Sequence, residues 1–287
     1  MTVQYHVDGD LVPAADATVN VQDRGFRYGD AAFETLRAYG GDVFEWDAHA
    51  DRLDRTCEAL SLDHGLDRSD LRRRIDETLA ANDLEDAYVR LSITRGVQSG
   101  KLTPAPAADP TVVVVVDDLP RGGVDGTPVW DGPATLQTVR TRAVPDESIP
   151  AGAKTHNYLA GILARAELVD DADEALIRDR DGAVLEGATS NCFFVRDDAL
   201  CTPNAERPLL PGVTRRVVLD LAESAGIPVR TGTYDPEDVR TAAEAFLTNT
   251  TWELRPVDRV DGLEVGGGPV TELLSRLFDE YVEERHY

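Results

Sequence analysis

Ala153-Lys154-Thr155-His156-Asn157-Tyr158-Leu159 is the stretch on which the rest of this 287-residue chain depends. It is a turn opening an apolar-periodic segment, and it carries one of only two lysines, Lys101 and Lys154, against 27 arginines. Lysine is ordinarily among the commonest residues of soluble proteins. Whatever pressure removed it from the surface left these two in place. A primary amine condenses with an aldehyde to form an imine, and a guanidinium cannot replace it in that step. An ordinary surface lysine is the bland alternative, and composition alone leaves the two level.

Downstream of this turn, the pattern predicts a helix over 156–169, a strand over 174–179, an Asp181-Gly182 turn and a strand over 191–196. A helix over 213–225 closed by Gly226, strands over 245–249 and 256–260, and a helix over 270–284 complete the C-terminal side. Upstream lies a strand over 136–140. Before that, Asp117 to Pro128 is rich in glycine, proline and aspartate and marks a boundary. The N-terminal side opens with a hairpin over 5–12 on an Asp8-Gly9 turn, and a second hairpin joins 33–39 to 43–44. Helices follow over 47–61 and 68–81, then strands over 88–94 and 111–116, the last expected to be fully buried because of its valine run. The expected organisation is a first α/β domain over 1–118, a linker over 119–128 and a second α/β domain over 129–287.

Composition narrows the function. The excess of 53 acidic over 29 basic residues gives a formal charge of −24, which repels nucleic-acid phosphates and anionic membranes. The acids are spread along the chain rather than blocked into a tail, so they read as a solvated surface suited to a high-salt, halophilic cytoplasm. No apolar run reaches membrane-spanning length and no signal-peptide pattern opens the chain, so a soluble, cytoplasmic protein is expected. Cys57, Cys192 and Cys201 are odd in number and lack Cys-x-x-Cys spacing, which suggests reduced intracellular thiols. Asp179 and Asp181 lack the loop spacing of a calcium site, and no metal is expected.

Four separated segments carry what a phosphorylated aldehyde cofactor would need. Lys154 is the amine. In Asp179-Arg180-Asp181-Gly182-Ala183-Val184-Leu185-Glu186-Gly187-Ala188-Thr189-Ser190-Asn191, Glu186 could pair with a protonated pyridine nitrogen and make the ring an electron sink, although a lone strand glutamate is usually only solvated. Pro211-Gly212-Val213-Thr214-Arg215 leads into a helix whose N-terminal amides suit an anion, with ordinary capping as the alternative. Leu247-Thr248-Asn249-Thr250-Thr251 ends a strand in hydroxyls that can donate to phosphate oxygens. Arg52, after His49-Ala50-Asp51 on an amphipathic helix, could add the countercharge, or could be one half of an exposed Arg–Asp pair.

Singly, none of these decides the matter, but their order does. Arg27-Tyr28-Gly29-Asp30 with Phe33-Glu34-Thr35-Leu36-Arg37, then His49-x-x-Arg52-Leu53, Lys154-Thr155-His156-Asn157-Tyr158, the 182–191 segment, Leu210-x-Gly212-Val213-Thr214-Arg215, and Thr250 before Arg255-Pro256-Val257 resemble the class IV aminotransferase family of pyridoxal-phosphate enzymes. The resemblance spans nearly the whole chain. It implies a mixed α/β (α+β) two-domain fold, that of fold type IV pyridoxal-phosphate enzymes, with the active site between the domains. It implies a homodimer, and pyridoxal 5'-phosphate bound through Lys154, which also shuttles the substrate proton. Glu186 would meet the pyridinium, Leu210 would pack on the ring and Tyr158 would meet its phenolic oxygen. Arg52, the backbone of Val213 and Thr214, and Thr250 would hold the phosphate. Tyr28, Tyr88, Arg90 and Lys101 fall on the substrate side.

Within the family, Tyr88-Val89-Arg90 and Phe33-Glu34 resemble the branched-chain aminotransferases, which move an amino group between a small L-amino acid and a 2-oxo acid. Two features depart from them: the stretch around Arg27-Tyr28-Gly29 lacks their His-x-x-His-Tyr-Gly form, and Asn157 follows Lys154 without an inserted glycine. The Arg-x-His trap of D-amino-acid aminotransferases is absent, since Gly100, Lys101 and Leu102 occupy that region. Lys101 could face a second carboxylate, as in a 4-amino-4-deoxychorismate lyase releasing pyruvate and 4-aminobenzoate for folate synthesis, or could be an exposed loop lysine. Aminotransferase is the first expectation and the lyase the close alternative.

Overall fold

A computed structural model describes residues 2–99, 102–105, 109–122, 128–169 and 171–287. Lys101 and much of the 119–128 linker lie outside the described residues. The chain forms two compact units: Met1–Pro120 with Ala153–Asn157 and His286–Tyr287, and Arg121–Gly152 with Tyr158–Arg285.

In the first unit, the elements are β1 (Gln4–Val7), β2 (Asp10–Pro13), α1 (Arg24–Tyr28), β3 (Ala31–Tyr39), β4 (Asp42–Val43), α2 (Trp46–Ala59), α3 (Arg68–Ala81), β5 (Ala87–Thr94) and β6 (Val112–Asp118). The strands form one antiparallel sheet in the order β2-β1-β6-β5-β3-β4. Asp8 and Gly9 both take positive φ, 51° and 109°, the geometry that the Asp-Gly signal predicts for a two-residue hairpin. Leu53 and Cys57 of α2 and Leu71, Ile75 and Leu79 of α3 bury against Leu36, Val89, Leu91, Val114 and Val116. Truncating one such leucine to alanine costs about 2–5 kcal/mol. The valine run of β6 is not buried throughout as expected: Val112, Val114 and Val116 are, whereas Val113 and Val115 are only partly covered. An antiparallel sheet exposes alternate residues to different surroundings on its two faces, and helices cover the face that takes the even-numbered valines.

In the second unit, the elements are β7 (Ala134–Arg142), α4 (Leu159–Arg165), β8 (Glu174–Arg178), β9 (Val184–Gly187), β10 (Asn191–Arg196), β11 (Ala199–Pro203), α5 (Val213–Ser224), β12 (Val229–Gly232), α6 (Pro236–Arg240), β13 (Glu244–Asn249), β14 (Glu253–Val260), β15 (Leu263–Glu264) and α7 (Pro269–His286). A nine-stranded mixed sheet runs β12-β11-β10-β13-β14-β7-β8-β9, with β15 beside β14. Phe194, Leu247, Val257, Leu136 and Leu176 form its central core.

The helix expected over 156–169 is shorter, Leu159–Arg165. Residues 153–157 are held in extended form along β3 in the first unit. The Phe33 amide donates to the Lys154 carbonyl at 3.0 Å, the His156 amide donates to the Ala31 carbonyl at 3.1 Å, and Thr155 bridges Ala32. These sheet-type bonds consume the backbone groups that an earlier helix start would need.

Candidate functional site

The Lys154 segment is fastened from both sides within the first unit. Besides its bonds to β3, the Lys154 amide donates to Thr56 Oγ1 at 3.0 Å, and the same hydroxyl donates to the Arg52 carbonyl at 2.9 Å. A buried α2 threonine thus sets the position of the lysine backbone. The Lys154 Nζ lies 4.5 Å from the centroid of the Phe33 ring, and the Arg90 guanidinium carbon lies 3.9 Å from the same centroid. Such cation–ring contacts stabilise partly desolvated cations by about 0.5–2 kcal/mol. His156 meets the Phe33 ring edge-on at 5.5 Å, and its Nε2 lies 3.3 Å from Ser92 Oγ. Burial, reinforced by the nearby Arg90 charge, lowers the His156 pKa to about 4, so the ring is neutral near pH 7.

Arg52 is buried, 3% exposed, and is not half of a surface Arg–Asp pair. Asp51 pairs instead with Arg68 at 2.7 Å. The partner of Arg52 is Glu34, 1% exposed on β3, which accepts from Nε at 2.9 Å and from Nη2 at 2.6 Å. His49 Nδ1, one turn away on α2, lies 2.8 Å from the same carboxylate. Burial alone would raise the Glu34 pKa, but the charge and hydrogen bonds of Arg52, with His49, pull it down to about 2. Burial lowers the His49 pKa, so the imidazole is neutral and Nδ1 carries the proton that it donates.

Tyr28 ends α1, which Asp23 caps by accepting from the Gly25 amide at 2.7 Å and from Thr94 Oγ1 at 2.7 Å. Arg24 and Arg27 sit 5.1 and 4.9 Å from its ring centroid. Gly29 follows with φ 68°, where a Cβ would come within 2.8 Å of Asn157 Oδ1, so glycine is required by conformation and by space. Tyr88 lies two residues before Arg90 on β5, hence on the same face of that strand. Among the described residues, no hydrogen bond or ring contact joins Tyr28 or Tyr88 to Lys154.

The second unit gathers a different set. Glu186, half-buried on β9, accepts from the Leu210 amide at 3.1–3.2 Å and from Asn191 Nδ2 at 3.2 Å. Asn191 Nδ2 also donates to the Leu210 carbonyl at 3.0 Å. A Cβ on Gly212 would stand 2.1 Å from Asn191 Oδ1, so the chain entering α5 passes directly against this asparagine. Gly212 is the N-cap of α5 and, among the described residues, no side chain caps the helix, which leaves the first amides, Val213 and Thr214, aimed outward. Thr248 pairs with Asn191 across β10 and β13, so both side chains leave the same face of the sheet, and among the described residues its buried hydroxyl has no hydrogen-bond partner. Thr250 sits in the following turn, where Asn249 Oδ1 accepts from the amides of Thr251 and Trp252. Tyr158 is half-buried at the start of α4.

Residues 31–260 match the model of the amino-transferase class IV family. The chain belongs to that family. A protein of Methanocaldococcus jannaschii assigned as a branched-chain-amino-acid aminotransferase is 35% identical over 99% of this chain and 96% of its own length. The D-alanine aminotransferase of Listeria monocytogenes is 32% identical over 97% of this chain and 94% of its own. Among solved structures, the branched-chain aminotransferase of Thermoproteus uzoniensis with norvaline superposes with a TM-score of 0.91 at 28% identity, covering 100% of this chain and 97% of that one. The 4-amino-4-deoxychorismate lyase of Pseudomonas aeruginosa superposes with a TM-score of 0.80 at 30% identity, covering 99% of this chain and all of that one. Class IV aminotransferases depend on pyridoxal 5'-phosphate, and a related structure holds pyridoxamine 5'-phosphate. The mixed α/β architecture is that of the fold type IV enzymes.

Phe33, Glu34, His49, His156 and Asn191 belong to these clusters although their motif positions alone assign them no role. A signal was present for Glu34, since an acid inside Ala31-Ala32-Phe33-Glu34-Thr35-Leu36 needs a buried partner. Thr56 gave no such signal.

Proposed function

We propose that this class IV aminotransferase moves an amino group between a small L-amino acid of the branched-chain type and a 2-oxo acid. The observation that carries the reading is the Phe33 ring, which has the Lys154 amine and the Arg90 guanidinium within 4.5 Å and 3.9 Å of its centroid. An α-amino acid presents an amine and a carboxylate two bonds apart. The guanidinium is suited to the carboxylate, and the lysine amine to moving the proton of the carbon between the two groups.

Pyridoxal phosphate supplies an aldehyde to take up the amino group and a ring to accept the electrons of the broken Cα–H bond. The residues present fit it. The uncapped start of α5, a Gly212 with no room for a Cβ, and the unpartnered Thr248 hydroxyl make a donor-rich face suited to phosphate. Val213 and Thr214 amides, Thr250 and Arg52 hold that phosphate in this reading. Glu186 would pair with the ring nitrogen, Leu210 would pack on the ring and Tyr158 would meet the phenolic oxygen. Lys154 provides the amine, and its Nζ removes and returns the α proton. Arg90 receives the substrate carboxylate, with Tyr88 and Tyr28 lining the substrate.

We further infer a homodimer in a saline cytoplasm. Leu159, Ile162 and Leu163 on one face of α4 are 66%, 62% and 52% exposed, which is costly for a chain otherwise so acidic unless another surface covers them. Light scattering that returned a monomer at high salt would remove this inference.

The substrate assignment is tested by mixing the holoenzyme with leucine or glutamate. Loss of the aldehyde-form absorbance and appearance of the pyridoxamine form supports it. If neither converts the cofactor while 4-amino-4-deoxychorismate yields pyruvate, the lyase reading, with Lys101 toward the second carboxylate, replaces it. Conversion by D-alanine alone would reassign the configuration.

A further inference from the structure

We infer that Glu174 is a positioning residue for Glu186: its buried carboxylate clamps the turn 187–190 and thereby holds the strand end from which Glu186 leaves. This rests on the assignment of Glu186 to the ring nitrogen made above, and it goes beyond that assignment in naming what fixes the glutamate in place.

β8 and β9 are antiparallel neighbours, with Leu176 opposite Gly187 and Ile177 opposite Glu186. Continued past the end of β9, that register puts Ala175 beside Ala188 and Glu174 beside Thr189, where the chain turns toward β10. The Ala188 amide donates to the Ala175 carbonyl at 3.2 Å, as this register requires. Glu174 is fully buried and reaches the rest of the turn with its side chain. Its Oε1 accepts from the Ala188 amide at 3.2 Å. Its Oε2 accepts from the Thr189 amide at 3.3 Å, from Thr189 Oγ1 at 2.7 Å and from Ser190 Oγ at 3.4 Å. Arg165, the last residue of α4, donates to Oε1 at 3.1 Å and supplies the countercharge. A carboxylate taken wholly out of water is tolerated only with such a set of donors.

The clamp acts on both residues that flank the turn. Glu186 precedes Gly187 and Asn191 follows Ser190, and the Gly187 amide closes the turn on the Ser190 carbonyl at 2.6 Å. A Cβ on Gly187 would stand 2.2 Å from Ser190 Oγ and 3.0 Å from Glu174 Cγ, so glycine leaves the room that the carboxylate stem needs. Asn191 Nδ2 donates to Glu186 Oε2 at 3.2 Å, a bond that depends on how the turn spaces the two residues. The head of Glu186 is thus held by Asn191 and the Leu210 amide, while its backbone is held by Glu174 through the turn. Loops open at lower free energy than the strands they join. A buried carboxylate bonded to two successive amides of the turn opposes that opening. It also accounts for Thr189 and Ser190 within the 182–191 segment. A hydroxyl has one hydrogen to donate, and theirs go to Glu174.

The test is a double-mutant cycle on cofactor affinity, read by absorbance titration of the refolded apoenzyme with pyridoxal phosphate. Glu174→Ala should raise the dissociation constant about tenfold in the otherwise wild-type chain, but less than about threefold in the Glu186→Gln background. A purely structural role would raise the constant by the same factor in both backgrounds, and equal factors overturn the inference. So does an unchanged constant in Glu174→Ala. Should Glu174→Ala fail to fold, Glu174→Gln serves. Whichever way its amide is turned, its hydrogens face the amide of Ala188 or of Thr189, so one bond of the clamp is lost. A rise of about threefold is then expected only where Glu186 is present. No rise there, or the same rise in Glu186→Gln, is equally fatal. Wild-type protein that failed to bind pyridoxal phosphate, or Glu186→Gln that bound it with full affinity, would remove the assignment on which the inference rests. That failure is visible before Glu174 is altered, so the two are distinct.

Discussion

The Lys154 cluster and the Glu186 cluster are built on different principles. Around Lys154 the work is done by charged and aromatic side chains from a strand and a helix: Glu34 against Arg52, and Phe33 beneath Lys154 and Arg90. Around Glu186 the donors are mostly main-chain, the Leu210 amide and the open start of α5, tied together by one asparagine. A side-chain cluster is sensitive to what a substitution removes, because it leaves a buried charge behind. A main-chain cluster is sensitive to what a substitution adds, because backbone can approach only where no Cβ intervenes.

The largest test of that contrast is Lys154→Arg. It keeps the charge near Phe33 but cannot form the imine, so turnover should fall at least about a thousandfold in a transamination assay. Substantial residual activity would break the account of the first cluster. On the other side, Gly212→Ala should raise the dissociation constant of pyridoxal phosphate about tenfold, a loss of about 1.4 kcal/mol. The added methyl would stand 2.1 Å from Asn191 Oδ1, and moving Asn191 strains its bonds to Glu186 and Leu210. Wild-type affinity in this variant would show that the α5 entry has slack.

A smaller effect should appear as a pH dependence of stability to which the first cluster contributes. The folded pKa of His156 is lowered to about 4 from an ordinary value near 6.5. The unfolded chain therefore binds the proton first, and stability should fall as pH drops from about 6.5 to 4. Glu34, held at about 2, adds its own loss only below about pH 4.5, as the unfolded carboxylate protonates first. Melting curves of wild type and His156→Asn between pH 7 and 5 check this: the variant should show the flatter profile. Identical profiles would remove His156 as the cause.

Much of the fold was legible in the chain because local signals and tertiary packing agreed. The periodicity of 68–81 marks α3 to the residue, and the Asp8-Gly9 turn marks the first hairpin. Helices α1 and α6 and strands β11 and β12 escaped, since segments of four or five residues owe their conformation to neighbours rather than to periodicity. The start of the 156–169 helix was misplaced because nothing local reveals that Lys154 and His156 bond to β3. In the candidate site, residue types pointed to chemistry: the scarce lysine, the strand glutamate before a glycine, the glycine before a helix. Pairings across elements did not show. Glu34 and Arg52 lie 18 positions apart on different elements, and the side of the guanidinium that faces the carboxylate is a matter of packing. Asn191 was visible as the end of a motif, but its role as the link among Glu186, Leu210 and the Gly212 approach needed coordinates.

The lysine scarcity that singles out Lys154 also makes the central claim easy to test. With two lysines in the chain, borohydride reduction of the holoenzyme followed by peptide mass mapping has only two side chains to choose between. The reduced cofactor should sit on the peptide containing Lys154, at close to one per chain, with none on the peptide containing Lys101. Cofactor on Lys101, or no covalent cofactor at all, would contradict it.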